Sequence, residues 1–222
     1  MSQRSLFGAA LDGTFGAFLR RMPKQSRSRA LVTAVVQALD EQLQSGRDLD
    51  AVTIETVSER AGVSVGSFYE YFTGKDSLLG ALVGQVTDRN FRHLSARLEA
   101  HAVDGLDALV RAFSRDIATT YLAHPRHMRV VVHAIGRLGL LGIVNRERDR
   151  FAEVMCTHAR PFLSDEDPAR VLRTMQLLAD GAMGVLVAAA DRESPADAEA
   201  VAEELAELAF GLIAQRHASS AP

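Results

Sequence analysis

The sequence predicts an all-α protein of about nine helices. Over most of its 222 residues, apolar side chains recur every three or four positions, which is the period of an amphipathic helix. No segment sustains the alternation of apolar and polar residues that a half-buried strand requires. Glycines, prolines and capping residues divide the chain into helices of ordinary length. With 47% hydrophobic and 24% charged residues, the composition is that of a folded globular protein.

The first three helices are predicted by their apolar stripes and caps. A helix extends from residue 28 to a break at Gly46, with leucines and valines recurring along one side. Thr53 supplies a hydroxyl cap for a second helix through Ala61, and Gly62 permits the tight turn that follows. A third, very short helix begins after a serine cap and covers about residues 64–72.

Six longer helices follow in the prediction. One begins near Lys75, and the next has a four-turn apolar stripe that ends at His124. The last two begin at Pro168 and Pro195, behind possible caps at Asp167 and Ser194, because proline costs little at the first helical position. The predicted ranges after the helix at residue 75 are 106–124, 125–138, 145–163, 168–190 and 195–215.

Residues 1–24 differ from the rest of the chain. Three glycines interrupt an apolar set, and Arg20, Arg21 and Lys24 come after it. A secretory signal carries its positive charge before the apolar region, so we do not interpret the segment as a signal. Two interpretations stay open: a poorly ordered extension, and a short amphipathic helix or basic arm that touches a partner.

Composition excludes several classes of protein. No uninterrupted apolar run reaches the length of a bilayer span, so we expect no membrane segment. The single Cys156 excludes an internal disulfide and a CxxC site, and the cytoplasm is the expected compartment. The net charge of -3 and the pI near 6.2 argue, taken alone, against a nucleic-acid partner. The charge is polarised, however, because residues 1–47 hold 7 basic and 3 acidic side chains and residues 151–222 hold 5 and 12.

The stretch from residue 53 to residue 75 carries the functional signal. Two short helices are joined by a turn too tight for antiparallel packing, so they are predicted to cross steeply, as in a helix-turn-helix. The positions predicted to form its small core are Val57, Ala61, Val63, Phe68 and Phe72. The positions predicted on the outer surface, where hydroxyls and free N–H groups favour phosphate, are Ser64, Val65, Gly66, Ser67, Tyr69 and Tyr71.

The spacing of these residues resembles the DNA-binding domain of the tetracycline-repressor (TetR) family of bacterial regulators. The matching pattern is Thr53-x3-Val57-Ser58-x2-Ala61-Gly62-Val63-Ser64-x3-Phe68-Tyr69-x-Tyr71-Phe72-x2-Lys75, within a resemblance that extends from Arg27 to Leu79. The departures are Ser58, Phe68 and Tyr71, where alanine, leucine and histidine are usual. The resemblance implies a homodimer that places its third helices in successive major grooves of double-stranded DNA, and a C-terminal domain that binds a small effector.

The resemblance also implies which residues contact DNA. Lys75, one of only two lysines in the chain, matches a phosphate-contacting lysine. Thr53, Tyr69 and Tyr71 match positions that also grip the DNA backbone, and the positions that face base edges are Val65, Gly66 and Ser67. Ser64, on the same outer surface, is also assigned to the DNA-binding site. Arg27 and Arg29 are expected to be further phosphate contacts. The alternative for each is a solvated surface residue.

The chain is therefore divided, in prediction, into an extension at residues 1–24, a DNA-binding domain at 25–75 and an effector-binding and dimerisation domain at 76–222. The effector candidates, each of which could instead be plain core, are Phe113, Tyr121, Met128, His133, Arg137, Phe151, Met155 and Met183. Arg137 could pair with an anionic effector, although an apolar or amphipathic molecule is the general expectation.

The last two predicted helices have apolar stripes suited to a four-helix dimer interface. The residues assigned to it are Leu172, Met175, Leu178, Ala182, Leu186, Val201, Leu205, Leu208 and Leu212. No catalytic constellation, metal site or cofactor site is expected, since the histidines near residue 127 lack a carboxylate at ligand spacing.

The favoured function is a ligand-responsive repressor that binds a pseudo-palindromic operator as a homodimer and is released by its effector. A transcriptional activator or co-regulator of the same fold is the alternative. A helical small-molecule enzyme or carrier has less support, because no group of catalytic residues can be identified. The sequence does not name the effector, the operator or the target genes.

Overall fold

The computed structural model describes residues 14–101, 103–164, 166–192 and 197–218. Within these ranges the chain forms nine α-helices and no strand, so the predicted all-α class is confirmed. Short 3-10 turns cover Thr14–Phe18, Leu49–Ala51 and Arg160–Phe162. The α-helices are α1 (Ser26–Gln44), α2 (Ile54–Ala61), α3 (Val65–Tyr71), α4 (Lys75–Ala100), α5 (Leu106–Leu122), α6 (Pro125–Arg137), α7 (Leu141–Ala159), α8 (Pro168–Asp191) and α9 (Ala198–Ala218).

The predicted caps decide several of these bounds. Thr53 caps α2, and Gly62 ends that helix with a φ of 66°, in the left-handed region that a residue with a Cβ adopts only at a cost. Asp167 caps α8 by accepting a hydrogen bond from the Arg170 backbone N–H at 3.2 Å. The predicted start at Pro195 lies outside the described residues, and helix α9 is described from Ala198.

The chain folds as two compact units. The N-terminal unit comprises the described residues up to 89 together with 126–143, and the C-terminal unit comprises residues 90–125 and those from 144 onward. The boundary expected near residue 75 differs because the first turns of α4 carry buried side chains, among them Leu78, Leu79 and Leu82. Helix α6, expected in the effector domain, also groups with the N-terminal unit.

The core of the N-terminal unit forms where α1 packs against α2 and α3. Phe68 and Phe72 are fully buried, as predicted, and their rings stack with centroids 5.2 Å apart. Val57 is buried as well, whereas Ala61 and Val63 are only partly buried. The short helices α2 and α3 are therefore held in place by packing against α1 rather than by their own length.

A buried ionic cluster also stabilises the N-terminal unit. The carboxylate of Asp40 on α1 lies 2.8 Å from His127 Nε2 on α6 and accepts hydrogen bonds from Arg89 at 2.6 Å and from Gln44 at 3.0 Å. Burial raises the pKa of Asp40, but the hydrogen bond from His127 and the charge and hydrogen bond of Arg89 outweigh it and lower the pKa to about 2. The cluster joins α1, α4 and α6 through one charged residue.

In the C-terminal unit, α9 packs on α5 and on α8. Two exposed ion pairs join α5 to α9: Arg115 to Glu199 at 2.7 Å and Arg111 to Glu203 at 2.9 Å. Because both partners of each pair are about half exposed, solvent screens the attraction and each pair contributes little to stability. The apolar contacts between these helices therefore account for most of their association.

Helix α8 is long and apolar enough to cross a membrane by length and composition, with a mean hydropathy of 1.3 over its best window. Helix α6 and the segment Leu141–Phe162 meet the criterion only as a pair, and that pair is bent by 117°. Core helices of soluble proteins meet the same criterion, and α8 buries seven side chains, including Met175 and Leu178, within this fold. The finding is therefore weak support for a membrane span.

Candidate nucleic-acid interface

Helix α3 presents a short, mostly polar surface beside its buried phenylalanines. Tyr69 is 44% exposed, and its ring packs edge-on against the buried Phe68 ring, with centroids 5.3 Å apart. Gly66 is exposed, while Val65 and Ser67 are half-buried. The buried Phe68 ring thus supports the exposed Tyr69 ring, and the Tyr69 hydroxyl can donate a hydrogen bond to a phosphate.

Two of the predicted hydroxyl contacts, Thr53 and Ser64, also cap helices. Thr53 Oγ1 accepts from the Thr56 N–H at 3.2 Å, and Ser64 Oγ accepts from the Ser67 N–H at 3.0 Å. The Ser64 and Ser67 hydroxyls also share a hydrogen bond of 2.9 Å. Since a hydroxyl that accepts from a backbone N–H keeps its own hydrogen, one of the two serines retains a donor for DNA, whereas the Thr53 hydroxyl donates to the Glu55 carboxylate.

Lys75 lies at the first residue of α4 and is half-buried. Its Nζ donates to the Leu49 carbonyl in the 3-10 turn before α2. An ammonium group has three donors, so the bond that positions it leaves two for a phosphate. The structure thereby holds this charge next to the start of the helix-turn-helix segment.

Tyr71 is the exception among the predicted contacts, because it lies in the core. It was expected on the outer surface of the third helix, but it is only 6% exposed. Arg21 covers it: the guanidinium donates to the Tyr71 hydroxyl at 3.2 Å and lies 4.8 Å from the ring centroid. The expectation that Tyr71 grips the DNA backbone is therefore corrected to a packing role under Arg21.

Arg27 and Arg29 are exposed in the first turn of α1. The Nε of Arg29 donates to the Pro23 carbonyl at 3.4 Å, which leaves its terminal amino groups for other partners. Arg20 and Arg21 lie against α3, because the Arg20 backbone N–H donates to the Tyr71 carbonyl and the Arg21 guanidinium pairs with Glu70. The sequence did not predict these contacts. The sequence does indicate a basic surface here, since residues 20–29 contain five basic and no acidic side chains.

The C-terminal unit contains an apolar cavity of about 70 Å³. Ser114 supplies the only hydroxyl in its lining, which contains no charged side chain. Two of the predicted effector residues, Phe113 and Met155, line it, and the predicted Tyr121 and Phe151 pack on the adjoining core. Burial raises the pKa of Tyr121, partly offset by its hydrogen bond with Asn90.

The other predicted effector residues lie elsewhere. Met128, His133 and Arg137 belong to the N-terminal unit, and Arg137 pairs with Asp76 at 2.7 Å rather than facing a ligand. Met183 is on α8 but does not line the cavity. These four residues were predicted to bind the effector because the pattern of an amphipathic helix does not reveal which neighbouring helix its apolar side contacts.

The residues assigned to a dimer interface are likewise divided by the structure. Most are buried within the chain, and the ones that line the cavity are Met175, Leu178, Ala182, Leu205 and Leu208. Leu186 and Val201 are buried, and Leu172 and Leu212 are half-buried. The exposed large apolar residues of α8 and α9 are Leu208, at 41%, which was assigned to the interface, and Leu177, at 46%, which was not.

Two short helices joined by the turn at Gly62, packed against α1 beside a basic flank, define the N-terminal unit as a helix-turn-helix DNA-binding domain. Among the residues that the structure describes, no group of three His, Cys, Asp or Glu side chains could hold a metal ion. Residues 41–82 match the family model for bacterial regulatory proteins of the tetR family. The match covers the helix-turn-helix segment and the first turns of α4, so this part of the chain is similar to the DNA-binding domain of that family.

Several solved structures share the fold of this chain. One is a TetR-family transcriptional regulator from Streptomyces coelicolor, with 19% identity, a TM-score of 0.59, and coverage of 85% of this chain and 98% of the other. The fatty acid degradation regulator FadR from Bacillus halodurans has 15% identity, a TM-score of 0.59, and coverage of 84% and 96%. SmeT, the repressor of the Stenotrophomonas maltophilia multidrug efflux pump SmeDEF, has 18% identity, a TM-score of 0.55, and coverage of 81% and 88%. No curated protein matches the sequence.

Proposed function

We propose that the protein is a cytoplasmic, non-enzymatic repressor that binds a pseudo-palindromic operator as a homodimer and is released by a small apolar effector. The observation that supports it most is the pairing of an exposed helix-turn-helix surface with a separate apolar cavity. SmeT, which shares the fold, is a repressor. Effector and operator affinities are then reciprocally coupled, so each lowers the other by the same factor.

DNA binding is tested with the DNA upstream of the protein's own gene in an electrophoretic shift or footprint. Tyr69→Phe keeps the ring on Phe68 and removes only the hydroxyl, whereas Tyr69→Ala removes both. We expect weaker binding from Tyr69→Phe, and a further loss from Tyr69→Ala and from Lys75→Met. Arg146→Gln, an exposed change in the C-terminal unit, is the control. Wild-type binding that Tyr69→Ala and Lys75→Met leave untouched contradicts the proposal.

The cavity lining supports an uncharged apolar effector. No charged group is available there to pair with a carboxylate or an amine, and burying an unpaired charge is costly. The cavity of about 70 Å³ is also smaller than the ~150 Å³ apolar cavity known to bind benzene. A larger effector must therefore move lining side chains, which is a direct means of shifting the conformation.

Decan-1-ol and decanoate form a matched pair of probes, with the same chain length and a different charge. We expect the alcohol to raise the thermal midpoint and to weaken DNA binding more than the anion does. Ala182→Leu places a larger side chain in the cavity lining and should remove the effect of the alcohol, while Ala188→Leu, on the exposed side of the same helix, should not. Preference for decanoate, or an Ala182→Leu variant that responds like the wild type, contradicts an uncharged effector.

A homodimer through α8 and α9 is supported by their exposed apolar positions. Leu177 and Leu208 are exposed, and the Cβ positions of Gly184 and Gly211 face open space, so a second helix pair could approach closely. We expect light scattering to give the mass of two chains, and Leu177→Asp to give one chain and weaker operator binding. Leu141→Asp, at a position 60% exposed in the N-terminal unit, is the control. A monomeric wild type that binds the operator fully contradicts the dimer.

Repression itself is tested in the host. A reporter driven by the bound promoter should become more active when the gene is deleted, and should return to its basal level when the gene is restored. Loss of reporter expression on deletion would instead indicate an activator.

A further inference from the structure

We propose that residues 16–24, the N-terminal arm, form part of the DNA-binding surface, with Arg20 and Lys24 contacting phosphates of the duplex that α3 enters. This inference rests on DNA binding by the N-terminal unit and extends it beyond residues 41–82, the part that matches the family model. The arm adds the positive charge that the helix-turn-helix segment itself lacks.

The arm is attached to the domain at several points. The Phe18 ring lies against Gly80, so closely that a Cβ at that position would be 2.4 Å from Phe18 Cδ1. The Arg20 backbone N–H donates to the Tyr71 carbonyl at 2.7 Å, at the end of α3. Pro23 is buried, and its carbonyl accepts the hydrogen bond from Arg29. The arm therefore follows a defined path across α3 and α4.

Arg21 prepares the surface of α3 for phosphate. Glu70 follows Tyr69 directly and is the only acidic residue of α3, so its carboxylate would repel a nearby phosphate. The Arg21 guanidinium pairs with that carboxylate and also lies over the Tyr71 ring. Arg21 is thus a positioning residue: it offsets the one negative charge of the helix and holds the arm.

Two shallow depressions flank the arm and place its cations beside the predicted contacts. Arg20 and Arg21 line one of them together with Gly66, Tyr69 and Glu70. Arg21 and Lys24 line the other, next to Tyr71 and the start of α1. A duplex that touches Gly66 and Tyr69 therefore passes the side chain of Arg20.

The charge of this region is concentrated and available. Residues 20–29 contain five basic and no acidic side chains. Arg20 and Lys24 are exposed, and neither has an ion pair within the described part of the chain. Each cation that neutralises a DNA phosphate adds about 0.9 to the slope of the logarithm of affinity against the logarithm of salt concentration.

The test compares the full-length chain with two variants of equal charge. Arg20→Gln/Lys24→Gln removes the proposed contacts, and Arg146→Gln/Arg173→Gln removes two exposed positive charges in the C-terminal unit. The probe is a duplex that the wild-type chain recovers from a random-sequence pool, and the dissociation constant is measured over a series of salt concentrations. We expect the first variant to lose about 0.9 of slope for each contact in each bound protomer, with an unchanged thermal midpoint, and the second to keep the wild-type slope.

Gly80→Ala separates positioning from charge. Alanine is the better helix former, so α4 is not weakened, but the added methyl group displaces Phe18 and with it the arm. We expect Gly80→Ala to lose salt-dependent affinity although every cation is still present. A wild-type slope in both Arg20→Gln/Lys24→Gln and Gly80→Ala overturns the proposal and assigns the arm a packing role only. A wild-type chain that recovers no duplex is a failure of the proposed function instead.

Discussion

The buried carboxylate of Asp40 makes a prediction about stability in acid. Asp40 is 4% exposed, and its carboxylate lies within hydrogen-bonding distance of Arg89 and His127. Here the partners of the carboxylate are the Arg89 guanidinium at 2.6 Å and the His127 ring at 2.8 Å. In the unfolded chain these contacts are lost, and the pKa returns to its ordinary value of 3.8. Because the folded pKa is the lower one, Asp40 stabilises the fold above pH 3.8 and loses this contribution as the pH falls towards 2.

The lowering of the pKa of Asp40 from 3.8 to about 2 corresponds to about 2 kcal/mol of unfolding free energy near pH 7, at 1.36 kcal/mol for each pH unit. Roughly half of this contribution remains at about pH 3, and little remains at about pH 2. Asp40→Asn keeps the shape of the side chain without its charge. We therefore expect the wild type to exceed the variant by about 2 kcal/mol near pH 7 and by about half as much near pH 3.

Urea unfolding followed by circular dichroism, at a constant protein concentration and a series of pH values, measures this difference. Asp149→Asn, an exposed change on α7, is the control, and its difference from the wild type should not follow the same pH course. A wild-type advantage over Asp40→Asn that stays constant from neutral pH to about pH 3, or increases on acidification, would refute the reasoning.

Three further predictions follow from the described contacts. Phe113→Ala removes a ring stacked on Phe151, with centroids 5.4 Å apart, and should cost about 3–5 kcal/mol in thermal unfolding; a loss below about 1 kcal/mol would mean that the adjoining cavity collapses freely. Thr53→Ala removes the cap that accepts from the Thr56 N–H and should cost about 1 kcal/mol in urea unfolding, so an unchanged midpoint would argue against the cap. Gly62→Ala places a Cβ at a φ of 66° and should cost about 1–2 kcal/mol; increased stability would show that the turn can change its conformation.

The helices themselves were predictable because their signals are local. The Thr53 and Ser64 hydroxyls, the left-handed Gly62 and the proline that begins α8 each act within one turn of their own helix. Bounds were less predictable where no cap is present, as at α7, which begins at Leu141 rather than near Asn145. A helix without a capping residue can gain or lose a turn at little cost in free energy.

The surface of the helix-turn-helix was partly predictable. Tyr69 is exposed on α3, and Lys75 is half-buried at the start of α4, so both positions are compatible with their predicted role. Tyr71 was placed on the wrong side because a seven-residue helix shows less than two periods of its pattern. Arg21, more than forty residues away in the sequence, covers it, and no local pattern indicates such a contact.

By itself, the sequence determined an all-helical chain with a helix-turn-helix domain near one end, because helical period, caps and turn glycines act over a few residues. Only the tertiary structure decided which apolar stripes meet. It placed Met175, Leu178 and Leu205 around a cavity, buried Asp40 between Arg89 and His127, and laid the arm against Gly80. Apolar stripes resemble one another in sequence, and their partners are selected by the shape and charge of residues far along the chain.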